Sequence, residues 1–214
     1  MSDIWLQSRY GYAIDLVDPT PQQVDFSEIC YTLARINRFT GAADPSVSVA
    51  FHTMIVADLV DESLKPYALL HDMHEARTGD IATPAADALA EFGRQAGLGL
   101  GSYDGDLIVR RAIKEFKRRH DQAIHEAAGL KWPLTRDQES AIKLADVRAL
   151  MTERRDFMRW PPKPWNAELE AVEPSPTIYR EGHFGSTPRD VGGRLLAMCL
   201  DYLPAFRLMA NQAA

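Results

Sequence analysis

Three stretches of this chain place ionisable side chains where an apolar helix ordinarily rejects them. His52 falls on the stripe made by Val49, Val56 and Leu59. His71 and Asp72 directly follow Leu69 and Leu70, and Asp146 lies midway along a helical pattern running through Ile142, Ala145 and Leu150. Burying such groups costs several kcal/mol unless they are paired or bind a metal. Two imidazoles and two carboxylates from three helices suit a divalent ion that accepts N and O ligands and leaves positions for water. Singly, each signal is ordinary. A lone histidine on an apolar face is more often a hydrogen-bonded core residue, and an aspartate within KLADVRAL is more often salt-bridged. The second His-Asp pair, His120-Asp121, sits in the run KRRHD and reads as a solvated face without function.

The elements that must position these groups read as helices. Residues 1–24 mix Trp5, Tyr10, Tyr12, Pro19 and Pro21 with polar residues and form an irregular lead-in with room for one short strand. Asp25 and Glu28 resemble a capping box, and Phe26, Ile29, Leu33 and Ile36 predict a first helix that stops near Gly41. Asp44-Pro45 reads as a cap followed by proline at the start of a second, centrally buried helix. A third runs from Lys65-Pro66 through His71 and Asp72 to Thr78, ending at Gly79. Thr83-Pro84 opens a fourth, and the stretch 97–105 is a loop whose glycines lack the strand before and helix after that a phosphate loop needs. A helix over roughly 106–128 carries Ile108, Ile113, Phe116 and Ile124 on one side, with KEFKRRH on the other. Thr135 and Gln138 form a capping box for a helix reaching Trp160, and Thr187-Pro188 starts the last one. The expected fold is all-α, a bundle of six or seven helices. The expected organisation is a lead-in over 1–24, a core over 25–160, and a loop plus C-terminal helix packed on that core over 161–214.

The 214 residues suit one domain with a sizeable core. Apolar residues at 46% and charged residues at 25% exclude disorder and low complexity. The net charge of −6 disfavours a nucleic-acid scaffold, although local cations can still hold one small anion. Cys30 and Cys199 form no CxxC pair and imply no disulfide framework. No stretch approaches the roughly 20 apolar residues of a membrane span, and no secretory signal opens the chain, so the expected setting is cytoplasmic with no membrane partner.

Taken together, the motifs resemble the HD-domain metal-dependent phosphohydrolases, and among them the bacterial 5′-deoxynucleotidases and phage dATP triphosphohydrolases. The similarity is carried by Asn37-Arg38-Phe39, by SVAFH at 48–52, by HDMHEARTGDIATP at 71–84 and by Ala145-Asp146. It covers roughly residues 28–155. The aromatic after the arginine is Phe39, where the deoxynucleotidases carry tryptophan.

The resemblance implies one divalent ion (Mn, Co, Zn, Mg or Fe) held by His52, His71, Asp72 and Asp146. It implies that Glu75 orients or deprotonates the attacking water and that Asp80 takes or delivers a proton. Arg38 would clamp the phosphate with its planar fork, the alternative being an ion pair with an acidic neighbour. Phe39 would stand at the sugar 2′ position. Thr83 would either touch substrate or cap its helix, and the capping reading weighs more. His74 reads as a bystander or a supporting group. The implied activity is hydrolysis of the 5′-phosphate of deoxyribonucleoside monophosphates. The alternatives are triphosphohydrolase action on dATP-like nucleotides, with Lys114, Lys117, Arg118 and Arg119 meeting the longer tail, or a non-catalytic nucleotide sensor. The implied partners are a small nucleotide and further copies of the chain, as a dimer or larger assembly, with no nucleic acid.

Overall fold

A computed structural model of the chain describes residues 2–97 and 104–206. The molecule is mostly α-helical, with one small antiparallel hairpin, β1 (Trp5–Gln7) and β2 (Ala13–Asp15), in register Leu6 to Ile14. The lead-in therefore holds two short strands rather than one. Most of the loop expected over 97–105 lies outside the described residues.

The first helix, α1 (Phe26–Leu33), begins where Asp25 accepts the Glu28 backbone N–H at 3.0 Å. The reciprocal half of the expected capping box is absent, because the Glu28 carboxylate turns inward to Arg77 and Thr32. Nor does α1 reach Gly41. The chain leaves helical pairing after Leu33 and makes instead a short antiparallel contact, in which Val49 N–H donates to the Ile36 carbonyl and Arg38 N–H to the Val47 carbonyl. Phe39 and Thr40 then adopt the left-handed region at φ 55° and 52°, which turns the chain sharply after Arg38.

The central helix α2 (Val49–Asp58) starts at Ser48, whose hydroxyl accepts from Phe51 N, and not at the Asp44-Pro45 signature, where the backbone is non-helical. From Val49 through Ala57 every residue is buried, as an all-round apolar helix demands. Helix α3 (Lys65–Leu70) does open at Lys65-Pro66, but the single helix expected over 65–78 is divided. Between α3 and the one-turn α4 (Glu75–Thr78) the backbone tightens: Met73 N bonds Leu70 O, Glu75 N bonds Asp72 O and Ala76 N bonds Met73 O, each three residues apart. Such winding brings side chains three apart into line. Gly79 ends the segment at φ 72°, a conformation that a side chain would strain.

Helix α5 (Thr83–Ala96) packs closely on α6 (Asp104–Ala127). Its cap residue is Ala82, so Thr83 lies within the first turn, exposed, and does not cap. On α6 the expected apolar side is solvent-facing at Ile108, while the end of the KEFKRRH run turns inward at His120, 3% exposed. The reading of His120-Asp121 as a solvated face is thereby overturned. Thr135 and Gln138 form the expected capping box of α7 (Arg136–Phe157), which stops three residues short of Trp160. A one-turn helix, α8 (Ala167–Glu170), interrupts the loop expected from residue 161, and Thr187 caps α9 (Pro188–Tyr202). Nine helices thus stand among the described residues against the six or seven expected; α4 and α8 are single turns too short to read from periodicity.

One core unites these pieces. α9 packs on α1, α2 and α3, burying Val191, Leu195, Cys199 and Leu203. Cys30 and Cys199, remote in sequence, sit with their sulfurs 3.9 Å apart as free thiols. α7 packs across α2, and this crossing carries the acids of α7 to His52. Among the described residues no helix is long and apolar enough to cross a membrane.

Candidate metal centre

Of the four groups singled out by their positions on apolar helices, His52, His71 and Asp72 each bring one ligand atom within 4.8 Å of the others, and Asp146 joins them through His52. His52 from α2 places its Nε2 3.1 Å from Asp146 Oδ1 of α7 and 3.6 Å from Asp72 Oδ2. His71, at the end of α3, places its Nε2 3.3 Å from that same His52 Nε2 and 3.1 Å from Asp72 Oδ2. Ligands held about 2.0–2.2 Å from a tetrahedral ion stand about 3.3–3.6 Å from one another, and closer in an octahedron. The spacing observed is that of a coordination shell.

Hydrogen bonding explains why these rings attract positive charge, as protons or as a metal ion. His52 Nδ1 lies 2.9 Å from Glu153 Oε1, so the ring donates there and its Nε2 is bare in the neutral form. His71 Nδ1 lies 2.7 Å from the Ala68 carbonyl oxygen, an acceptor that leaves His71 Nε2 bare in the same way. Two nitrogen lone pairs therefore face each other and two carboxylate oxygens. The arrangement is repulsive unless protons or a metal ion occupy it. Metal-binding histidines characteristically donate the remote ring N–H to a carboxylate or carbonyl, which fixes both tautomer and orientation.

The electrostatics agree. Burial disfavours a charged His71, but Asp72 beside it outweighs burial and pushes its pKa up to about 9. His52 is raised as well, with burial and Arg38 opposed by Glu153 and Asp146. Despite their burial, Asp72 is held low chiefly by His71 and Asp146 by its bond to His52. The cluster is thus tuned to keep its carboxylates ionised and its rings hungry for positive charge. A buried group comprising His52, His71, Asp72, His74 and Glu75 can hold a metal ion, in two overlapping sets that share Asp72.

Around this centre stand the remaining expected residues. Arg38 is buried and donates from Nε to Glu153 Oε2 at 3.0 Å, while its Nη1 lies 3.9 Å from Asp72 Oδ2. It has the acidic partner that one reading predicted, and its outer nitrogens still face the centre. Burial would lower its pKa, but Glu153, Asp72, Asp146 and Asp80 keep it charged. The ring of Phe39 lies 5.4 Å from the Arg38 guanidinium and 6.3 Å from Trp165, which the loop after α7 returns to this corner. Glu75 is buried, and burial together with Asp72 and Asp80 drives its pKa up to about 9 against the pull of Lys117, 3.9 Å away. Asp80 is raised too, by burial first. Thr83 lies apart on the exposed first turn of α5.

Sequence reading missed three participants. Glu153, fully buried, joins His52 to Arg38; its place seven residues after Asp146, two helical turns on, was the available signal. Asp121 accepts from His74 Nδ1 at 2.9 Å, and Lys143 lies 2.8 Å from Asp146 Oδ2. Beside the centre opens a cavity of about 610 Å³ that reaches His71, Asp72 and Asp146. Its walls carry Arg110, Lys114, Lys117, Arg118 and Lys143 together with Tyr67, His125 and Trp132, the His125 and Trp132 rings tilted against each other with centroids 4.6 Å apart.

No protein-family model matches the chain. An uncharacterized protein of Rhodobacter capsulatus is 28% identical over 191 residues, spanning 84% of this chain and 85% of its own length. The uncharacterized protein YfdR of Escherichia coli K12 is 28% identical over 131 residues, 61% of this chain and 60% of its own.

Proposed function

We propose that this chain is a divalent-cation-dependent phosphohydrolase of the HD-domain kind, acting on nucleotide phosphate esters and foremost on the 5′-phosphate of deoxyribonucleoside monophosphates. The observation that carries this reading is the convergence of the His52 and His71 Nε2 atoms on Asp72, with Asp146 against His52 and a buried arginine beside them. His52, His71, Asp72 and Asp146 would hold the ion. When bound, such an ion supplies positive charge that polarises a phosphoryl oxygen and acidifies water.

The protein's own groups do the rest. Arg38, fixed through Nε by Glu153, keeps its Nη groups for a phosphate, a planar donor pair that lysine does not offer. Glu75, in its ionised form, would take a proton from water as the water oxygen attacks phosphorus. Asp80, electrostatically coupled to Arg38 and Asp72, delivers a proton to the 5′-oxygen as the phosphorus–oxygen bond breaks. Nucleoside and orthophosphate leave. Two neighbouring carboxyls with unlike environments are what such paired proton transfer requires.

A second reading, removal of tripolyphosphate from a dATP-like nucleotide, is favoured by the cationic wall of the adjoining cavity, where Lys114 and Lys117 extend from the centre along α6. A non-catalytic nucleotide sensor would bind without turnover. Incubating the protein with deoxynucleoside mono- and triphosphate panels and Mn²⁺, Co²⁺ or Mg²⁺, with orthophosphate and tripolyphosphate quantified separately, decides among the three. Orthophosphate from monophosphates is the expected product. Tripolyphosphate from triphosphates supports the second reading, and binding with neither product supports the sensor.

A further inference from the structure

His74 has no part in the chemistry proposed above, yet it is held as carefully as the two histidines that do. Its Nδ1 lies 2.9 Å from Asp121 Oδ1, just as His52 Nδ1 lies 2.9 Å from Glu153. A ring that donates from Nδ1 to a carboxylate has a bare Nε2, and this one is buried with no hydrogen-bond partner; the residue is 4% exposed. Next to it, Glu75 is also 4% exposed, and its Oε2 is likewise buried and unpartnered. One donor atom each from Asp72, His74 and Glu75 lie within 4.8 Å of one another. We propose that Asp72, His74 and Glu75 form a second divalent-cation site, which shares Asp72 with the first and takes an ion accepting mixed nitrogen and oxygen ligands, such as Mn²⁺ or Zn²⁺.

Four observations single out this cluster. His120 and His125 also carry buried, unpartnered Nε2 atoms, but among the described residues only two groups of three or more ligating side chains come together, and neither contains them. Lys117 does not fill the place of the cation, because it approaches the other oxygen, Oε1, and only to 3.9 Å. The tightened backbone over residues 70–76 supplies the geometry, since three-residue winding aligns Asp72 with Glu75. Asp72, His74 and Asp121 all line the cavity beside the centre, which gives an ion its way in. An oxygen of Glu75 then serves the second ion, and its carboxylate stands between that ion and the water it is proposed to deprotonate.

The proposal rests on the metal-centre reading only through Asp72, and ion counting separates the two. Chelator-stripped protein is dialysed to equilibrium against Mn²⁺ and bound metal is measured per chain, with far-ultraviolet circular dichroism confirming the fold of each variant. The wild type should bind two ions, His74→Gln one, Asp146→Ala one and Asp72→Ala none. Asp121→Asn keeps the shape of the pocket and should weaken the second ion by roughly tenfold or more, which covers the case of an unfolded His74 variant. The paramagnetic resonance of the doubly loaded wild type should show exchange coupling that His74→Gln abolishes. One ion per wild-type chain, lost in Asp146→Ala and kept in His74→Gln, overturns this site and leaves the first standing. Two ions in His74→Gln, or an Asp121→Asn titration indistinguishable from wild type, also overturns it. No bound ion at all overturns both.

Discussion

Glu153 has no exposed surface, yet it is ionised and touches two groups on different elements, His52 Nδ1 at 2.9 Å and Arg38 Nε at 3.0 Å. Its charge is the reason both partners are oriented. Breaking such a buried pair leaves uncompensated charge, so Glu153→Ala should lose about 3–5 kcal/mol in urea unfolding. Glu153→Gln, which keeps the shape but weakens the hold on both groups, should reduce Mn²⁺ affinity by roughly 10–100-fold in a direct titration. Glu75 acts differently. Glu75→Gln should retain the ion at His52, His71, Asp72 and Asp146 while phosphate release falls by roughly 10²–10⁴-fold, measured alongside metal content. Full turnover in that variant would sink the mechanism even with the metal in place. At this scale His52, His71, Asp72 and Asp146, the proposed ligands, drew notice because they sit in apolar helical stretches. Glu153 was not read, because a lone acid late in a helix reads as solvent-facing until the crossing of α7 over α2 is known. His74 and Asp121 lie 47 residues apart, and nothing in either local pattern announces the pair.

The helices succeed as positioning devices where their ends are chemically marked. Ser48 caps α2 one turn before His52, so Ser48→Ala should cost about 1 kcal/mol and loosen the first turn that carries the ligand. The measurement is the urea midpoint together with Mn²⁺ affinity, and both should fall. At the other side of the core, α9 meets α1 at Gly192, where an added Cβ would stand 2.6 Å from Tyr31 Cδ1 and 3.2 Å from the Cys30 carbonyl. Gly192→Ala should therefore destabilise by about 1–3 kcal/mol with little change in metal binding, since the clash is remote from the centre. Pro66, Thr135 and Thr187 marked true helix starts because proline and a side-chain cap act within one turn. Asp44-Pro45 carried the same local signature and starts nothing, because the short contact between the 36–38 and 47–49 backbones delays α2 until Ser48. The break at His71–His74 was invisible in the sequence, since hydrophobic periodicity does not separate a tightened turn from a continuous helix over four residues.

For the molecule as a whole, the charge arithmetic and the local field point in opposite directions. A chain of net charge −6 concentrates Arg110, Lys114, Lys117, Arg118 and Lys143 around one cavity beside its acidic centre. Global repulsion of polyanions and local attraction of one small anion coexist in this way. α9 buries Val191, Leu195 and Cys199 within the chain, while Leu200 on the same helix stays half exposed. Global stability should follow pH through His120, which burial pushes down to about 4. Its ordinary value is about 6.5, so the unfolded chain takes up a proton before the folded one does. The contribution is fully present above about pH 6.5 and is lost as pH falls toward 4, by up to about 3 kcal/mol. Urea unfolding of wild type and His120→Gln at pH 7 and pH 5 isolates this contribution as the difference between the two proteins, apart from the opposite slope that the raised Glu75 carboxyl gives over the same range.

The most direct test of the metal centre is an anomalous difference map from crystals of Mn²⁺-reconstituted protein. The account predicts a peak bonded to His52 Nε2, His71 Nε2, Asp72 and Asp146, with Nδ1 of His52 still on Glu153. Well-ordered density with no peak there, and Asp146 still hydrogen-bonded to His52, would contradict it.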